Sequence, residues 1–330
     1  MYSPQQIFDS LLEAYNGSSR KVFQEFLNGH PNTTHWAIAA DFCLSSKDHP
    51  NHCFSFTIIA DIENFSQIKS EISAAVRSDI KSKRTIAEQS VEFLRDPRFF
   101  HLIVAVPNSR NLFDDGANES PLNLARECVQ LTVKKMEDLE RGVEAIRRAR
   151  ILLQESKANG FNHKLFGDMI LLAVLYPFVS LMIARERAAK LIAWLPDRDS
   201  MTTYCDEFVW DMAIGSLHGL AESEKISISS TTFPITIPSP ATGEMWFDEF
   251  VRLADHFAGT VAAWDFDANL VPVGPKSDKF VRMLENVMAG AENSVILKLS
   301  LTKKTLQASR IVVGLATAAI SSTHNPTPNA

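Results

Sequence analysis

Residues 35–60 read HWAIAADFCLSSKDHPNHCFSFTIIA, and no other stretch says as much about the architecture. Two dense apolar runs, 35–43 and 53–60, are joined by the polar loop SSKDHPNH. Ser, Asp, Pro and Asn between two such runs are turn formers, so the stretch reads as a β-hairpin. Before it, apolar positions at helical spacing (Ile7, Leu11, Leu12, Tyr15, then Val22, Phe23, Phe26, Leu27) predict a helical N-terminal arm within 1–34. After it, Ile68, Ile72, Val76, Ile80, Ile86, Val91 and Leu94 predict helix over 64–95, stopped by Asp96-Pro97. FFHLIVAV at 99–106 reads as a strand closed by Pro107-Asn108, with a polar loop over 108–119.

Residues 122–188 are helical almost throughout, with a break at Asn159-Gly160, and predict a helical insertion over 121–188 shaped as a hairpin. AKLIAWL at 189–195 reads as a strand running into PDRDS. Helices are expected over 203–220, 244–264 and, more weakly, 277–290; 225–238 reads as extended, and 293–320 is ambiguous. A leading hairpin followed by alternating helices and strands implies an α/β fold, a mixed sheet flanked by helices. The organisation expected is an arm at 1–34, a main domain at 35–265 and a C-terminal extension at 266–330 ending in a loose tail.

The chain has 330 residues, 45% hydrophobic and 22% charged, which is globular composition. Its net charge of −6 argues against an architectural nucleic-acid binder. It argues less against a nuclease, whose divalent cations bring positive charge to the site. Cys43, Cys53, Cys128 and Cys205 form no C-x-x-C pair, which fits a reducing, cytoplasmic setting. The apolar run Met169–Ala184 contains Pro177 and falls short of the roughly 20 residues a bilayer span needs, so it reads as a buried central helix and no membrane partner is expected. G-x-G-x-x-G and G-x-x-x-x-G-K are both absent, which argues against Rossmann and P-loop chemistry. Cys43, His49, His52 and Cys53 match no familiar tetrahedral zinc spacing; the two cysteines read better as strand residues facing each other across the hairpin.

Aspartates carry the chemical signal. Asp41 ends the first strand, Asp197 follows LIAWL, and Asp255 sits in the helix VRLADHFAG. Each is an acid in apolar sequence, a costly placement unless the charge is paired or binds a metal. Strand ends are where open α/β sheets build sites, and converging carboxylates raise one another's pKa. Mg²⁺ or Mn²⁺ suits such oxygen ligands and would activate a water against a phosphodiester. Asp79, in SDIKSKR, stands two residues before Lys81. Plainer readings sit beside these: Asp41 as a strand end, Asp197 or Asp199 as a turn or helix-cap residue, Asp255 paired with Arg252 or His256, and Asp79 with the KSKR run as a wet helix face.

The strand-one acid Asp41, the acid-x-Lys of Asp79-Ile80-Lys81, the strand-end acid Asp197 and the helix motif Leu253-Ala254-Asp255-His256-Phe257-Ala258-Gly259 together resemble a widespread bacterial family of the ribonuclease H-like superfamily. That family often lies near mobile-element or phage-defence genes. The resemblance spans about 35–265 with large gaps between its anchors. It implies a ribonuclease H-like sheet and metal-dependent phosphodiester hydrolysis on nucleic acid, with Mg²⁺ or Mn²⁺ held by Asp41, Asp197 and Asp255. Asp79 or Asp199 would help, and Lys81 or Arg198 would steady the phosphate. The first strand departs from the family pattern: Asp-Glu-Ser-Gly is replaced by Asp41-Phe42-Cys43-Leu44, which removes one ligand or general base. Asp48 in the following loop is the nearest substitute. An inactive member acting through a protein partner or as a homo-oligomer, with 121–188 as the contact element, is the alternative expectation. A nucleotide or small-ligand sensor is the third.

Overall fold

The computed structural model describes residues 2–44, 49–60, 64–107, 112–113, 120–237, 244–271, 277–302 and 305–314. Asp48, most of the loop expected at 108–119 and the tail from 315 lie outside them. The architecture is α/β: one six-stranded mixed sheet, order β4-β1-β2-β3-β5-β6, with helices on both faces.

The hairpin forms as expected. β1 (His35–Cys43) runs antiparallel to β2 (Asn51–Ile59), from Ala37 opposite Ile59 to Cys43 opposite Cys53. The two cysteines therefore do face each other, and both are free thiols. β2 pairs antiparallel with β3 (Phe99–Pro107). The arm is two helices, α1 (Pro4–Ala14) and α2 (Arg20–Asn28), joined by a wider helical turn. Ser3 and Gln6 close a capping box at the start of α1, and Pro4 occupies a first-turn position where its missing N–H costs nothing. The arm packs on the sheet: the Phe23 and Phe100 rings stand 5.0 Å apart, and Phe26 and Trp36 6.0 Å.

The helix expected over 64–95 is two, α3 (Phe65–Ala75) and α4 (Glu88–Leu94), with a single 3-10 turn, Ile80–Ser82, between them. The apolar spacing is helical right through, but Ser78, Asp79 and Ser82 bond locally and compete with a continuous helix. Asp79 thus caps a turn and does not sit within a helix. The insertion is three helices, not a hairpin: α5 (Pro121–Asp138), α6 (Val143–Lys157) and α7 (His163–Glu186). α7 passes a length-and-composition test for a membrane span, yet its apolar window is entirely buried within the protein. It is the central core helix of one sheet face, so only α5 and α6 are additions to that core.

β4 (Leu191–Pro196) runs parallel to β1, His35 beside Leu191 through Ala40 beside Pro196. The stretch expected as extended adds to the far side of β4, with the Ile192 and Trp194 amides donating to Thr232 and Pro234 carbonyls. α8 (Ser200–Ser223) is broken by four non-helical residues, Tyr204–Glu207, three of them at positive φ. α9 (Asp248–Ala263) and the short α10 (Asp278–Arg282) cover the other face. The ambiguous region resolves into β5 (Ser294–Leu301), parallel to β3, and β6 (Leu306–Ile311), antiparallel to β5. The segment 266–330 therefore supplies two strands of the same sheet.

Trp36, Ile38, Ala40 and Phe42 of β1 face α1, α2 and α7, while Ala37 and Ala39 face α9. Both faces are buried, which is why the strand reads as a continuous apolar run. Alternation places Asp41 on the α9 face.

Candidate functional site

Parallel neighbours β1 and β4 end at the same edge of the sheet. The Asp197 amide donates to the Ala40 carbonyl at 2.9 Å, carrying the ladder one residue past β4 and setting Asp197 beside Asp41. The two side chains lie within hydrogen-bonding reach of each other. Two carboxylates this close repel unless a proton or a cation stands between them. Asp41 is only 9% exposed. Burial, then the charges of Asp255 and Asp197, push its pKa well above the carboxylate range. Burial also raises Asp197.

Asp255 comes down on this pair from α9, which packs across β1 and β2. One of its oxygens accepts the Ile80 amide at 2.5 Å. Burial raises its pKa to about 6, with the charges of Asp79 and Asp197 adding and the Ile80 amide and Lys81 opposing. Neither structural partner suggested by sequence takes it up. Arg252 pairs with Asp248 at 2.5 Å, and His256 Nδ1 donates to the Arg252 carbonyl at 2.8 Å, 3.9 Å from Asp255.

Asp79 and Lys81 flank Ile80 on the turn, their charged groups 3.6 Å apart. Lys81 is 82% exposed. Partial burial opposes its charge, but Asp79, Asp255, Asp41 and Asp197 outweigh this and raise its pKa. The whole predicted set of Asp41, Asp197, Asp255, Asp79 and Lys81 is thus electrostatically in reach of one place. Of the KSKR run, Lys81, Ser82 and Arg84 are exposed. Asp199 has a different employment: it caps α8, accepting from the Met201 amide at 2.8 Å in a capping box with Thr202. Arg198 is exposed beside it.

The glycine of the α9 motif has a packing reason. A Cβ on Gly259 would lie 2.8 Å from Cγ2 of Ile80, so only glycine lets the Ile80 turn come this close to α9. Gly259→Ala is expected to destabilise the fold by about 1–2 kcal/mol in denaturant titration and to loosen the Ile80 amide from Asp255. Unchanged stability, and unchanged exchange of that amide, would contradict this role. Sequence reasoning missed Lys279, which is buried and donates to the Ile80 carbonyl at 2.6 Å. A lysine in DKFVR carries no sequence signal of burial. His101, for which no partner was evident in sequence, bonds Thr57 at 2.9 Å and the Leu94 carbonyl at 3.1 Å. Trp36, Trp194, Trp210 and Trp264 are core; Trp246 is half exposed, against Phe65.

The donors are hard oxygens. The nearby thiol of Cys43 is pushed up to about 12, first by burial and then by Asp41 and Asp255, so it is protonated and unsuited to a metal. It lies 3.4 Å from His49 Nδ1. Among the described residues, no three carboxylate, imidazole or thiol groups are already arranged around one point as metal ligands. In the acid cluster, one oxygen of Asp255 is taken by the Ile80 amide. Comparisons of the chain with family models, curated proteins and solved structures find no match.

Proposed function

We propose that the chain is a metal-dependent phosphodiesterase acting on nucleic acid, with a ribonuclease H-like core. One observation carries the reading: three carboxylates from three separate elements, Asp41 buried and Asp197 and Asp255 partly buried, are brought together against their mutual repulsion. Structural aspartates do not need to be assembled this way, and a site for a hard cation does. The β1-β2-β3 meander with β4 parallel beside β1, an acid at each of two adjacent strand ends and a third on a covering helix, supports the ribonuclease H-like assignment.

Asp41, Asp197 and Asp255 would hold Mg²⁺ or Mn²⁺, which on binding supplies Lewis acidity and a water of lowered pKa. Asp41 and Asp197 would hold it in their deprotonated forms. The Ile80 amide fixes one oxygen of Asp255 and so its rotamer. Lys81, exposed at the rim, meets the phosphate of a strand laid over the site. The test is hydrolysis of single- and double-stranded DNA and RNA with Mn²⁺ or Mg²⁺ against an EDTA control. Cation-dependent cleavage that survives Asp255→Asn would sink the assignment.

A second reading has its own observation. The residue after Asp41, where the family carries a second acid, is Phe42, which is buried in the core on the opposite face. No acid follows Asp41 on the strand, and this favours a non-catalytic member that works through a protein partner or a second copy. α5 and α6 would carry that contact, since Leu131, Leu139 and Val143 are exposed there. A strict monomer by light scattering that captures no partner would remove this reading.

A further inference from the structure

Beneath the acid cluster, β2 carries a hydroxyl with no evident use. Ser55 is fully buried, and its Oγ has no hydrogen-bond partner among the described residues. It stands directly opposite Asp41 in the β1–β2 ladder. Opposed residues of an antiparallel pair project to the same face, with Cβ atoms about 4.5–5.5 Å apart. Its strand neighbours fix that face. Cys53 packs in the core beneath α9. Thr57 bonds His101, whose ring stacks on Phe257 of α9 at 3.9 Å. Ser55 lies between them, on the side of the sheet where Asp41, Asp197 and Asp255 meet.

A buried hydroxyl without a partner is costly, and where one persists it marks an absent water or ion or a functional demand. Alanine would fill the same space without that cost. Carboxylates that ligate metals are themselves hydrogen-bonded by an outer shell, which fixes their orientation. Asp41 has two oxygens and one neighbouring carboxyl, so an oxygen remains for a donor from β2.

We propose that Ser55 is a positioning residue of the cation site: its O–H donates to the Asp41 carboxylate when that carboxylate takes up the cation. This rests on the reading of the cluster as a cation site. The hydroxyl leaves the second oxygen of Asp41 for the metal and holds the side chain in one rotamer. It touches neither cation nor substrate.

The experiment is calorimetric titration of Mn²⁺ into the full chain, its Ser55→Ala variant and its Ser55→Cys variant, with melting temperatures of the metal-free proteins measured alongside. Ser55→Ala should bind Mn²⁺ about 10- to 100-fold more weakly. Its metal-free melting temperature should be unchanged or higher, and Ser55→Cys should fall between. Equal Mn²⁺ affinity in wild type and Ser55→Ala overturns the proposal and leaves the cation reading standing. A weaker affinity matched by a lower metal-free melting temperature, with Ser55→Cys no better than Ser55→Ala, also overturns it, since that is a packing effect. Wild type that takes up no Mn²⁺ overturns the cation reading, and the proposal with it.

Discussion

Asp255→Asn is expected to lower Mn²⁺-dependent hydrolysis by at least about a thousandfold, equivalent to roughly 4 kcal/mol of transition-state stabilisation. The substitution keeps the shape of the side chain and an oxygen that accepts the Ile80 amide, so the turn and helix α9 should hold their places. What it removes is one of the three carboxylate charges that would face the cation. With one charge fewer, a doubly charged cation has less reason to leave water. Asp79→Asn is the internal contrast. Asp79 is 42% exposed and paired with Lys81, so its loss should change the rate by less than about tenfold. Initial rates at saturating Mn²⁺, with circular dichroism of each variant, decide the matter. Equal losses in the two variants would mean that depth of burial does not set the role, and a full rate in Asp255→Asn would remove the catalytic assignment.

These residues could be picked from sequence because burial of acid leaves a mark in composition. WAIAAD, LIAWLPD and RLADHFAG each show a carboxylate against an apolar background. The hairpin, β3, β4 and α9 were equally legible, since each is a strongly periodic or continuously apolar run with a turn former at its end. The failures have local causes. Helical spacing persists across Val76, Ile80 and Ile86 although the chain turns there, because the same residues are needed to cover α9. In the insertion, the short connection at Glu140–Gly142 carries one turn residue and was read through. SVILKLSL at 294–301 alternates well enough for a strand, but its partner β3 lies far back in sequence and nothing local announces the pairing. Ser55 and Lys279 were invisible for a different reason. A serine in a strand and a lysine in a charged helix are ordinary, and only tertiary neighbours show the first without a partner and the second buried.

Without divalent cations, the acid cluster is expected to contribute less and less stability as pH rises from about pH 4 through about pH 6. The carboxylates of the cluster have folded pKa values above their unfolded ones, so the folded state binds protons more tightly. Their protonated forms are compatible with burial, and the stability this gives is full below the unfolded value of 3.8 and is lost as pH climbs through the folded value. For Asp255 that window runs from 3.8 to about 6. At about 1.4 kcal/mol per unit, its upper limit is on the order of 3 kcal/mol, not additive with Asp41 because the sites are coupled. Asp255→Asn should flatten the profile and melt higher than wild type near neutral pH. A cation takes over the work of the proton, so Mn²⁺ at a hundredfold excess over its Kd should restore about 2.7 kcal/mol to wild type and nothing to the variant. Scanning calorimetry across this pH range, with EDTA and with Mn²⁺, reads all three effects. Buried His101 and His256, with pKa values lowered to about 3 and about 4, push the total the other way, so the quantity read is the difference between wild type and Asp255→Asn; a difference that does not change with pH would mean the three carboxylates are not confined together. A difference that grows with pH but ignores Mn²⁺ would mean that they are confined for some purpose other than holding a cation, and the partner-binding reading would then have the better claim.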